Sequence, residues 1–101
     1  MLHGQEVEMS EEIYDKEIAP LLMQVAAICK QHNFPMVAEV EYLPGERGST
    51  SLLPPGASLA MTMILHCAHT APNVDSYIIG LARYCKERGI DYSSSVIMRE
   101  I

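Results

Sequence analysis

Basic residues are scarce in this chain. Seven Lys and Arg stand against thirteen Asp and Glu in 101 residues, a formal charge of −6. Clustered cations are what bind a nucleic-acid backbone, so this balance argues against direct contact with DNA or RNA. The first ten residues, MLHGQEVEMS, lack the basic and apolar regions of a secretion signal. No charge occurs between Gly48 and Val74, yet Pro54, Pro55 and Pro72 cut that run, and its helical part is too short to span a bilayer. Three cysteines, Cys29, Cys67 and Cys85, form no tight framework, and an odd count reads as reduced thiols in a cytoplasmic protein. Internal repeats, low-complexity segments, a Gly-x-Ser-x-Gly elbow and a phosphate-binding glycine loop are all missing. Catalysis is therefore not the expected activity.

What is present fits one small globular domain, with 49% hydrophobic and 20% charged residues. Residues 1–9 read as a flexible acidic lead-in, and Met9 is a plausible natural start, with the domain covering residues 10–101. Ser10 is placed to cap a helix whose first turn holds Glu11 and Glu12. Tyr14, Ile18, Leu21, Val25, Ile28 and His32 recur at helical spacing, with Leu22, Ala26 and Cys29 widening the stripe. Pro20 falls inside it and predicts a kink rather than a break, because the apolar phase continues.

Residues 36–43 alternate, with Met36, Ala38, Val40 and Tyr42 on one side and Glu39 and Glu41 on the other, as in a half-buried strand. PGERG then turns the chain into a short returning strand over residues 49–53. The uncharged stretch 57–70, ASLAMTMILHCAHT, is apolar on nearly every side and predicts a central, buried helix, with Met61 and Met63 as core filler. Asn73 caps a third helix that ends on Gly89 and Ile90. Residues 94–101, rich in Val and Ile, read as a last strand able to pair with a second copy of the chain. The fold class expected is α+β in the order α-β-β-α-α-β, with a small, mainly antiparallel sheet of about three strands on three helices.

Three kinds of site are open. Nine of the acids lie in residues 1–50, giving that half −6 and the other half zero. Glu11, Glu12 and Asp15, with Glu46 and Arg47 at the hairpin tip and Arg99 in the last strand, are candidates for binding a partner protein, self or host. The competing reading is a solvated, solubilising surface. Cys29 with His32, and His66 with His69, each sit three apart near a helix end, and together could supply a tetrahedral zinc site. Against it, buried Cys packs as a small hydrophobe and His caps helix ends. A small-molecule pocket between the hairpin and the central helix, with or without enzyme activity, is the third.

The strings PMVAEVEYLPGE and LLPPGASLAM, with the overall size, resemble small uncharacterised proteins encoded by bacteriophages and prophages of Gram-negative bacteria. The resemblance covers roughly residues 9–101 and carries no catalytic motif. It implies a small accessory or host-takeover factor that acts by binding a host protein, in the host cytoplasm. From the residues themselves, the exposed last strand adds the expectation of a homodimer, and the missing motifs that of no cofactor.

Overall fold

The computed structural model describes residues 2–91, 93 and 95. The fold is α+β: α1 (Leu2–Ile13), a π-helical turn (Tyr14–Ile18), α2 (Ala19–Gln31), β1 (Met36–Leu43), β2 (Glu46–Leu52), α3 (Leu59–Thr70) and α4 (Val74–Arg88). Counting α1, the π turn and α2 as one helical stretch, the described order is α-β-β-α-α, with a two-stranded antiparallel sheet. Of the expected last strand over residues 94–101 only Ser95 is described, and the rest of it, Arg99 included, lies outside the described residues. The chain divides into two compact units, Met1–Met61 and Thr62–Ile101, with the division falling inside α3.

In the first unit the helix begins at Leu2, so Ser10 lies inside it and the expected lead-in is helical. The reason is local: Gln, Glu and Met are good helix formers, and no Gly or Pro interrupts residues 5–19. Helical backbone then persists through Pro20, which sits in the first turn of α2. The turn before it widens, and the Ala19 N–H bonds the Tyr14 carbonyl, five residues back. A proline in a strict α-helix clashes with the carbonyl four residues earlier, and the wider π turn relieves that clash without breaking the helix.

The π turn also corrects the expected stripe. It takes up one extra residue, which rotates everything after it by about 100°. Tyr14 is buried, 7% exposed, whereas Leu21, Val25 and Ile28 face solvent. Ile18, Leu22, Ala26 and Cys29 are the half-buried set.

β1 has the expected bounds, while β2 starts earlier, at Glu46, because the turn is only Pro44-Gly45. Proline followed by Gly45 at φ +83° meets the backbone demands of a type II turn, and the Glu41 carboxylate accepts from the Gly45 N–H at 3.0 Å. Register pairs Met36 with Leu52, Ala38 with Thr50 and Val40 with Gly48. Gly48 lets the Tyr14 ring lie directly on the strand: a Cβ there would stand 2.5 Å from the Tyr14 Oη and closer still to the ring carbons. Tyr14 also packs on Tyr42, with ring centroids 5.7 Å apart.

The second unit is organised by α4. Asn73 caps it, its Oδ1 accepting from the Ser76 N–H at 2.9 Å. Gly89 ends it at φ +66°, with the Ile90 N–H on the Cys85 carbonyl at 2.8 Å, the Schellman ending expected from the sequence. Leu81, Ala82 and Cys85 are its buried residues. The expectation for α3 is overturned. None of its residues is buried, and Ile64 is 50% exposed. An all-apolar helix needs neighbours on every side, and units of this size cannot supply them. Among the described residues no side chain is shut off from water completely.

Candidate interaction surface

The first unit brings together acids that are far apart in sequence. Glu11 lies on α1, Asp15 on the π turn and Glu46 at the start of β2, and all three are exposed. Their shared neighbour is Tyr42, whose phenol is pushed above its ordinary 10.0, first by desolvation and then by the carboxylates of Glu11, Glu46 and Asp15. The other two candidates are engaged elsewhere: Glu12 pairs with Lys16 one helical turn on, and Arg47 bonds Glu39 at 3.0 Å. The Glu12–Lys16 pair is exposed, and pairs of that kind contribute little stability, about 0.2–1 kcal/mol.

The raised phenol has a pH signature. A folded pKa above the unfolded one means the folded state holds its proton longer, so stability is complete below pH 10.0 and falls as pH rises through the folded value. Tyr42→Phe should flatten the loss of stability above that pH in urea unfolding. An unchanged slope would remove the carboxylates from the neighbourhood of Tyr42.

Another side of the same helical stretch carries an apolar surface. Met9, Ile13, Leu21, Val25 and Ile28 are 47 to 65% exposed. An open cleft of about 280 Å³ lies along it, lined by Met9, Glu12, Ile13, Lys16 and Glu17. Sequence reasoning missed this surface. The available signal was the eight-residue step from Ile13 to Leu21, which a regular α-helix puts about 80° out of line.

The Cys and His candidates fall in different units: Cys29 and His32 at the end of α2 in the first, His66 and His69 in α3 in the second. His32 packs against Phe34, with centroids 5.5 Å apart. His66 has a packing role. Its Nε2 donates to the Tyr77 carbonyl at 2.8 Å, and its ring stacks on Tyr77 at 5.2 Å. A bonded ring nitrogen is not available to a metal, which leaves Nδ1. Among the described residues no group of three or more His, Cys, Asp or Glu is placed to hold a metal ion. A smaller cleft of about 170 Å³ lies at the α3–α4 corner, lined by Cys67, Pro72, Val74 and Tyr77 among others. Its walls are apolar, with no convergent polar groups of the kind an active site needs.

Among the described residues no helix is long and apolar enough to cross a membrane. No protein-family model, curated protein or solved structure matches the chain.

Proposed function

We propose that this is a small phage-type accessory protein of the host cytoplasm that works by binding another protein and not by catalysis. The observation that carries this reading is the convergence of Glu11, Asp15 and Glu46 from three separate elements beside Tyr42. Carboxylates gathered around an aromatic ring suit a basic segment of a partner, with charge steering the encounter and the ring giving area to the contact. The exposed apolar side chains of α1 and α2 also suit a protein that binds others, since large apolar patches on a folded chain mark places where other molecules sit.

The test is capture from a bacterial lysate on the immobilised chain, compared with a Glu11→Lys, Asp15→Lys, Glu46→Lys variant. The wild-type chain should retain a basic protein that moderate salt releases, and the variant should not. Equal retention by both, or none by either, would count against the reading.

A further inference from the structure

We infer that the apolar stripe of α1 and α2 is a self-association surface, on which a second copy of the chain packs its own α1–α2 stretch antiparallel about a two-fold axis near the π turn. This rests on the proposed binding function and names one of its partners.

The stripe exists because of the π turn. In a regular helix at 100° per residue, Met9, Ile13, Leu21, Val25 and Ile28 would scatter over about 160°. With one extra residue absorbed between Tyr14 and Ile18, the step from Ile13 to Leu21 behaves as seven residues, and all five side chains fall within about 60°. Glu17 joins the same line at its middle. The face packed on the sheet, marked by Tyr14, Leu22 and Cys29, lies to one side of the stripe rather than under it. The exposed line runs about 27 Å along the axis.

Three features select a second copy as its occupant. The first is symmetry. Counted through the π turn, the positions are nearly the same read from either end, so an antiparallel copy sets Met9 against Ile28 and Ile13 against Val25. A two-fold interface requires such a self-complementary surface. The second is area. At 47 to 65% exposure the five side chains present about 500 Å² of apolar surface, close to the apolar share of a standard interface of about 800 Å² per partner. The third is charge. On the open flank, Glu12 and Lys16 lie toward the N-terminal end, and the uncharged Gln24, Ala27 and Gln31 toward the C-terminal end. A parallel pair would set Glu12 on Glu12 and Glu17 on Glu17. The antiparallel pair sets Glu12 opposite the uncharged end, and near the axis it leaves each Glu17 within reach of the second copy's Lys16.

The experiment is sedimentation equilibrium on the full chain, with variants of the stripe. The wild type should have twice the 11.2 kDa of one chain. Ile13→Glu and Leu21→Glu should each weaken association about a hundred-fold or more, while circular dichroism keeps its helical signal, because both positions are already half-exposed. Met9→Gln with Ile28→Gln is the milder check should either Glu variant lose structure. In a Cys29→Ala, Cys67→Ser background, Met9→Cys mixed with Ile28→Cys should form a mixed disulfide dimer, and neither alone should do so.

A wild-type monomer at sub-millimolar concentration overturns the inference. So does a dimer indifferent to all the stripe variants, or cross-linking of Met9→Cys to itself. A monomer that still retains a basic protein from lysate leaves the proposed function standing without this surface. A stripe-dependent dimer that retains none supports the surface and removes the proposed function.

Discussion

Gly48→Ala should cost the first unit about 3 kcal/mol, a large loss for a single methyl group on a strand. The methyl would enter space held by the Tyr14 ring, 2.5 Å from its Oη and nearer to its carbons. Tyr14 cannot step aside cheaply, since it packs on the strand and on Tyr42 and is the one buried residue among the described residues of that unit. Tyr14→Ala alone should cost about 3–5 kcal/mol, in the range for removing a buried aromatic. In that background the sign at Gly48 should reverse. With the ring gone, the three atoms nearest the new methyl are gone too, and alanine restores the strand preference that glycine lacks.

Gly45→Ala is the internal control. Its penalty comes from φ +83° alone, with open space around it, and should be about 1–2 kcal/mol. Hydrogen exchange of the β1 and β2 amides under urea reads all of these. A Gly48→Ala loss no larger than that of Gly45→Ala would take the Tyr14 ring off the strand.

The second large effect is also a reversal of sign, at Gly80 in α4. On helix propensity alone Gly80→Ala should stabilise by about 1 kcal/mol. The new Cβ would, however, lie 2.5 Å from Cε1 and 2.8 Å from Nε2 of His66. The ring would have to leave, losing its bond to the Tyr77 carbonyl, about 0.5–1.5 kcal/mol, and its stacking on Tyr77, of similar size. The losses win, and a net destabilisation of about 1 kcal/mol is expected. In a His66→Ala background the same change at Gly80 should stabilise by about 1 kcal/mol, because only propensity is left. Thermal melts of the four proteins complete the cycle, and additivity between the two positions would show that the ring does not sit over Gly80.

The elements most legible in the sequence were those fixed by a few neighbouring residues. Asn73, Gly89 and Ile90 bound α4 as expected, because caps are made within one turn of chain. β1 kept its bounds because alternation is a property of the strand itself. What was not legible depended on partners distant in sequence. The helical spacing from Tyr14 to His32 looked like one stripe, and only Pro20 and the eight-residue step from Ile13 to Leu21 hinted that the helix widens between them. That widening turned Leu21 outward while Tyr14 lies inward on Gly48, and no local pattern announces which glycine will lie under which ring. The reading of α3 failed for a related reason: uncharged sequence shows what a helix could bury, not how much protein exists to bury it. Of the candidate site, the clustering of acids in the first half was visible, but their meeting at Tyr42 was not.

The sparseness of the interior has a thermal consequence. The heat capacity gained on unfolding follows the apolar area newly exposed to water. A chain whose described side chains already stand partly in water has less to expose than one of the same length with a closed core. Its free energy of folding therefore varies gently with temperature: a low, broad dome, a melt spread over many degrees, and weak sensitivity to cold.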